Sequence, residues 1–75
     1  MDGINYADTI TIIANGQSRA VKAGSTAADL LHELNIKPTY VVVQLDGEIV
    51  QRTAFGQAAL REGSKVEIIT LVGGG

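Results

Sequence analysis

A chain of 75 residues has room for one small domain, because a chain of this length buries only about 60% of its unfolded surface. Hydrophobic residues make up 45% of the chain and charged residues 19%, a composition that favours a folded domain over disorder. The formal net charge is -2, and the sequence contains no stripe of basic residues. We therefore expect neither nucleic acid nor a membrane as a partner.

The chain contains no cysteine and a single histidine, His32. We therefore expect no disulfide, no cysteine nucleophile and no metal site. No apolar run approaches the roughly 18 residues that a membrane span requires. The N-terminal residues show neither the basic region nor the long apolar stretch of a signal peptide. The sequence therefore predicts a cytoplasmic protein that is held together by core packing.

The predicted elements begin with a β-hairpin. Residues 9–14 are rich in Thr and Ile, whose β-branched side chains suit a strand. Asn15-Gly16 follows at once, and this pair favours a type I′ turn because both residues tolerate positive φ. Residues 17–23 then form the returning strand.

A short helix is predicted next. Thr26 can cap it, with Ser25 as an alternative cap, and Asp29 lies three residues beyond Thr26, which is the spacing of a capping box. Asn35 and Pro38 end the helix. Apolar residues recur at i, i+3, i+4 and i+7, which defines one face that must pack against something: Ala27, Leu30, Leu31 and Leu34.

A second apolar run predicts a central strand. Residues 40–45 are rich in Val, and their length suits a strand that is buried on at least one face. Asp46-Gly47 is a further turn signal. Residues 48–51 then form a short strand.

The last third of the chain predicts a loop and one more strand. Residues 52–59 have no clear period and indicate a loop or a short helical turn. Residues 65–72 begin with alternating polar and apolar side chains, which is typical of a strand. Three glycines, residues 73–75, follow them.

The predicted architecture is α+β, because one helix can cover only one face of a sheet. We expect one mixed sheet with the helix packed across one face. The predicted domain comprises residues 9–72. Residues 1–8 are interpreted as an N-terminal extension, and residues 73–75 as a flexible C-terminal glycine tail.

The face of the sheet away from the helix is predicted to carry an apolar patch. If Val41, Val43, Val66 and Ile68 face the helix, a period of two places four residues on the opposite face: Tyr40, Val42, Ile69 and Leu71. An uncovered apolar patch favours docking to a partner. The alternative is a register that differs by one residue at either strand, which would turn these side chains inward.

The order of these elements is that of the β-grasp fold, and residues 9–75 resemble the sulfur carrier proteins of thiamin biosynthesis. The resemblance rests on the following segments: Asn15-Gly16, Ala28-Asp29-Leu30-Leu31 with Leu34, Val41-Val42-Val43-Gln44-Leu45, Asp46-Gly47-Glu48-Ile49-Val50, Arg52, Gly63, Lys65-Val66-Glu67-Ile68-Ile69 and Gly73-Gly74-Gly75. The molybdopterin-synthase small subunit and other ubiquitin-like sulfur carriers share the fold and the di-glycine end. Residues 1–8 and residues 53–57 depart from the family pattern.

The resemblance implies a carrier protein and not an enzyme. A partner adenylyltransferase, related to the ubiquitin-activating enzymes, would use ATP to adenylate the carboxylate of Gly75. A sulfur donor such as a cysteine desulfurase relay would convert it to a thiocarboxylate, and thiazole synthase would use that sulfur for thiazole formation. Gly75 and Gly74 are thus the expected reacting residues, and no cofactor is expected on the chain itself. The expected partner-binding residues are Tyr40, Val42, Ile69, Leu71, Val72 and Gly73.

Glycine suits such a tail because it lacks a side chain and can thread a narrow channel in a partner enzyme. Three extended residues reach roughly 10 Å. A glycine-rich end without any role is the plain alternative. Two further functions remain open, namely a protein modifier that is conjugated to lysines through Gly75, and a β-grasp interaction domain with an inert tail.

Overall fold

The computed structural model describes residues 8–71, which form a five-stranded sheet with one α-helix packed across one face. The predicted α+β architecture is therefore confirmed. The elements of these residues, in chain order, are β1 (Thr9–Ala14), β2 (Gln17–Lys22), α1 (Ala27–Glu33), β3 (Val41–Leu45), β4 (Glu48–Val50) and β5 (Lys65–Thr70), with 3-10 turns at Pro38–Tyr40 and Arg52–Gln57.

The sheet is mixed, and its strands lie in the order β2-β1-β5-β3-β4. The last strand, β5, lies at the centre, parallel to β1 and antiparallel to β3. The two remaining pairs, β1 with β2 and β3 with β4, are antiparallel hairpins. The described part of the chain therefore leaves the sheet from its central strand and not from an edge.

Both hairpins turn through the pairs that the sequence predicted. Asn15 and Gly16 have φ values of 50° and 83°, and Asp46 and Gly47 have values of 52° and 88°. Positive φ at both central residues defines the type I′ turn, whose twist matches that of the flanking strands. These turns fix the register of the two hairpins.

The helix begins and ends with side-chain and backbone caps. Thr26 Oγ1 accepts a hydrogen bond from the Asp29 N–H at 3.2 Å, and Asp29 Oδ2 accepts one from the Thr26 N–H at 2.9 Å, which completes the predicted capping box. At the other end Asn35 has a φ of 59°. The Ile36 N–H donates to the Leu31 carbonyl at 2.9 Å, as in a Schellman motif. A helix of only seven residues is thus closed at both ends.

The core lies between α1 and the sheet. The predicted helix face is confirmed, because Ala27, Leu30 and Leu31 are buried and Leu34 is half-buried against them. The other buried hydrophobic residues are Ile12, Val21, Val41, Val43, Phe55, Leu60 and Val66. The helix side of the sheet therefore carries the core.

β3 begins later than predicted and β5 ends earlier, at the end of the sheet where the two strands pair. The prediction that Tyr40 lies in the strand is wrong, because Pro38 opens a 3-10 turn that ends at Tyr40, and β3 begins at Val41. Val41, the first residue of β3, pairs with Thr70, which is the last residue of β5. The predicted last residue, Val72, lies outside the described residues, as do 73–75 and all but Asp8 of the expected extension.

The ends of three other elements differ by small amounts. β2 stops at Lys22 and β4 at Val50, one residue before each predicted end. Residues 52–57 form a 3-10 helix, the helical turn that was one of the two expectations for this region.

None of the helices in residues 8–71 is long and apolar enough to span a bilayer.

The buried helix face yields a stability prediction. Leu31 is 1% exposed, so Leu31→Ala removes buried methyl groups and leaves a cavity. We expect the free energy of unfolding to fall by about 2–5 kcal/mol in urea denaturation. His32→Ala, at the exposed next position, is the control and should change it by less than about 0.5 kcal/mol. Equal effects of the two substitutions would contradict this packing.

Candidate functional site

The residues predicted to contact partners lie where the chain leaves the sheet. Val42 and Ile69 are directly paired across β3 and β5, so their side chains share the face away from α1. Val41, Val43 and Val66 are buried on the helix side. The predicted register is therefore confirmed, and the alternative register, which would turn the patch inward, is wrong.

This outer patch is open along its length. Ile69 is 45% exposed, Leu71 46% and Tyr40 58%, whereas Val42 is half-buried. The Leu71 N–H donates to the Tyr40 carbonyl at 2.7 Å, which continues the pairing one residue beyond the strands. Four of the expected site residues, Val72, Gly73, Gly74 and Gly75, lie outside the described residues. Their expected roles remain predictions.

Ile49 belongs to the same patch, and sequence reasoning missed it. It lies opposite Gln44 in the β3–β4 hairpin, and its side chain is 67% exposed. A strand of three residues is too short for its own period to assign a face. The signal that could have found Ile49 is the type I′ turn at Asp46-Gly47, which pairs Gln44 with Ile49 by counting outward.

The patch borders a shallow groove of about 380 Å³. Val42, Ile49, Leu71 and the buried Phe55 are apolar residues of its lining. The exposed Arg52 stands at its rim. The groove can hold an apolar side chain of a partner and place a positive charge beside it. Within residues 8–71 no group of three His, Asp or Glu side chains is placed to hold a metal ion.

The position of β5 is fixed by the side chains of two turn residues. Asn15 Oδ1 accepts from the Ile68 N–H at 2.7 Å, and Asn15 Nδ2 donates to the Ile68 carbonyl at 3.3 Å. On the other side of β5, Asp46 Oδ1 accepts from the Lys65 N–H at 2.9 Å, and the Asp46 N–H donates to the Lys65 carbonyl at 2.8 Å. The strand that leads to the tail is therefore held on both flanks.

A five-stranded mixed sheet in this order, with one helix across it, is the β-grasp fold and places the molecule in the ubiquitin-like class. A model of the ThiS family matches residues 5–75, and the chain belongs to that family. The family assignment confirms the resemblance to thiamin sulfur carriers that the sequence indicated.

Two solved structures are similar to the chain. One is a crystal structure of a thiamine biosynthesis protein (ThiS) from Geobacter metallireducens, which is 30% identical with a TM-score of 0.76. That match covers 88% of this chain and all of the other. The other is a solution structure of a thiamine biosynthesis protein from the same organism, with 30% identity, a TM-score of 0.70 and 88% of each chain covered. Both matches agree with the β-grasp assignment.

Two larger relatives carry a different name. A thiazole synthase of Paramagnetospirillum magneticum is 36% identical over 64 residues, which is 85% of this chain and 20% of that protein. A thiazole synthase of Magnetococcus marinus is 33% identical over 61 residues, which is 81% of this chain and 19% of that protein. The chain thus spans about a fifth of the length of these relatives.

The Asn15 amide generates a prediction with a matched control. Asn15 and Asn35 both have positive φ, and only Asn15 uses its side chain to bond another strand. Asn15→Gly keeps the turn but loses both bonds to Ile68, so we expect the free energy of unfolding to fall by about 1–2 kcal/mol. Asn35→Gly should change it by less than about 0.5 kcal/mol. Chemical denaturation of the two variants makes the comparison, and equal changes would show that the amide contributes nothing.

Proposed function

We propose that the chain is a sulfur carrier of thiamin biosynthesis that acts as a co-substrate of partner enzymes and is not itself an enzyme. The observation that carries the proposal is the ThiS family match over residues 5–75, which includes both the β-grasp domain and the glycines after it. The described surface supports a carrier role, because its main feature is an apolar patch at the exit of the last strand.

The reacting group in this proposal is the carboxylate of Gly75. One of its oxygens attacks the α-phosphorus of ATP on the partner adenylyltransferase, and pyrophosphate leaves. A sulfur donor, such as a persulfide from a cysteine desulfurase relay, then displaces AMP at the acyl carbon. This leaves an acyl disulfide between the tail and the donor. A thiol then attacks the donor's cysteine sulfur, the S–S bond breaks, and the tail leaves as a thiocarboxylate while the donor and the thiol become joined by a disulfide. ATP is the partner's substrate, and its use implies a compartment that supplies ATP, such as the cytoplasm.

The structure supports the delivery step by its geometry. Leu71 ends the described chain at the top of the central strand, and four residues separate it from the proposed reacting carboxylate. Four extended residues span at most roughly 14 Å. Such a reach allows the body of the domain to rest on a partner while its tail enters the partner's active site. Gly74 and Gly73 add no side chains that could obstruct this passage.

The outer patch is the proposed docking surface for the adenylyltransferase. Val42, Ile49, Ile69 and Leu71 present aliphatic side chains on one face, with Arg52 at the rim. The fold already has its core on the other face of the sheet, so these exposed side chains are available to a partner.

The thiazole branch is favoured over the molybdopterin branch by the larger relatives. Each is named thiazole synthase, and a sequence similar to this chain makes up about a fifth of it. We infer that a carrier domain and a synthase occur in one polypeptide in those proteins. The same pairing supports thiazole synthase as the enzyme that takes sulfur from this chain.

Deletion of Gly75 tests the reacting group. The deletion moves the terminal carboxylate back by about 3.5 Å, and an error near 1 Å can already reduce a rate about a hundredfold. We therefore expect loss of ATP–pyrophosphate exchange with the adenylyltransferase and loss of the thiocarboxylate mass signal. Gly74→Val should also impair exchange, because the new side chain must enter the channel.

The melting temperature of each tail variant is the control, and we expect no change. Full exchange by the Gly75 deletion would refute the carrier chemistry, whereas a lower melting temperature would show that the tail is structural. Conjugates of much higher mass would favour a protein modifier. Sulfur transfer to a molybdopterin precursor, with none to thiazole, would favour the other branch.

Charge placed on the outer patch tests the docking surface. Leu71→Glu buries a carboxylate against the partner if the patch is the interface, so we expect at least about tenfold weaker binding to the adenylyltransferase. Ala20→Glu is the matched control, since Ala20 is exposed on the same sheet face at the far strand, β2. Both variants should keep the wild-type melting temperature. Equal binding by both would place the interface elsewhere.

A further inference from the structure

The backbone of β5 presents alternate residues to its two neighbours. The Leu71 N–H donates to the Tyr40 carbonyl, and the N–H and C=O of Lys65 both form hydrogen bonds with Asp46. The odd-numbered residues of β5 therefore direct their N–H and C=O groups toward β3. The even-numbered residues therefore direct theirs toward β1. Thr70, an exposed residue at the end of β5, is one of these.

The neighbour on that side stops short of Thr70. The last paired residues of β1 and β5 are Ala14 and Val66, after which the chain turns away at Asn15. The Asn15 carboxamide occupies the next position by bonding both backbone groups of Ile68. A carboxamide has the same donor and acceptor as a peptide group, so it substitutes for one more residue of β1. Within residues 8–71, the N–H and C=O of Thr70 have no partner and form an open edge.

A groove of about 200 Å³ lies beside Ile68, two residues before Thr70 on β5. Leu34, Ile36 and Ile68 are apolar residues of its lining. Asn15, the residue at which β1 turns away from β5, and Arg19 line it as well. The groove has room for a branched aliphatic side chain that projects from a strand next to Thr70.

Arg19 has donor capacity that the fold leaves unused. Its Nη2 lies 3.9 Å from Glu33 Oε1, and both side chains are more than a third exposed, so this ion pair is weak. Its Nε is buried and donates to no residue in the described part of the chain. A carboxylate is the group that matches a guanidinium with free donors.

We propose that this edge of β5 takes an extended acidic segment of a partner protein as an additional strand. The segment bonds the N–H and C=O of Thr70, places an aliphatic side chain on Ile68, Leu34 and Ile36, and directs a carboxylate to Arg19. The edge is distinct from the outer patch, which consists of side chains on the opposite face. The proposal does not depend on sulfur chemistry, so it can fail or hold independently of the proposed function.

A defined peptide tests the proposal. The probe is acetyl-Ser-Val-Leu-Val-Asp-Ser-amide, titrated to millimolar concentration into the ¹⁵N-labelled chain. We expect saturable shifts at the amides of Ile68 and Thr70, and slower hydrogen exchange at Thr70. The same peptide with alternate backbone nitrogens methylated cannot act as a strand donor and should not bind. Methylated peptide that binds equally well would overturn strand addition.

Charge variants test the role of Arg19. Arg19→Glu and Arg19→Gln should bind the acidic peptide about two- to fivefold more weakly, and Arg19→Glu should prefer a peptide with Lys in place of Asp. Lys22→Glu is the control, because Lys22 lies on the same strand with its side chain on the opposite face. An equal loss in Lys22→Glu would show that only net charge matters and would overturn the Arg19 contact.

Three further outcomes would also overturn the proposal. Shifts confined to Val42, Ile69 and Leu71 would place the peptide on the outer patch. Concentration-dependent shifts at Thr70 without peptide would show that a second copy of the chain occupies the edge. Absence of any saturable shift up to millimolar peptide would show that the edge takes no strand of this chemistry.

Discussion

The arrangement of the molecule depends on how β5 is fixed between its two neighbours. Asn15 and Asp46 are the first residues of type I′ turns, and each also bonds the backbone of β5 through its side chain. Each of these two residues therefore closes a hairpin and also holds the central strand in place. Because these bonds join residues 53 and 19 positions apart in sequence, they fix the two hairpins relative to the strand that carries the tail.

Fixing β5 in this way separates folding from recognition. The side chains of Val66, Val43 and Leu31 fill the core on the helix side of the sheet. Val42 and Ile69, which are paired across β3 and β5 and alternate with the inward-facing residues of those strands, face outward and are not needed for that core. An apolar outer face lowers solubility without adding to the fold, and the proposed contact with a partner would account for its presence.

Local signals in the sequence predicted most of the fold, and non-local contacts account for what it missed. The capping box at Thr26 and both type I′ turns depend on residues within three positions of each other, so they were predictable. The side-chain bonds of Asn15 could not be predicted, because their partner becomes a neighbour only after the sheet has formed. Tyr40 was predicted to lie in the strand because Pro38 shows where a turn can begin but not how many residues the turn contains. Ile49 was recoverable from turn geometry, but its three-residue strand gave no periodic signal.

The period of two along β5 gives the exit of the tail two different surfaces. The side chains of Ile69 and Leu71 belong to the outer patch, whereas the backbone of Thr70, between them, faces the open edge. A partner that binds the patch and a partner that adds a strand would therefore contact the same three residues through different atoms. A carrier that gains its sulfur from one enzyme and loses it to another must be released between them. In the proposed function, separate surfaces around one exit would let each enzyme recognise the domain by its own chemistry, while the tail would enter either active site from the same strand.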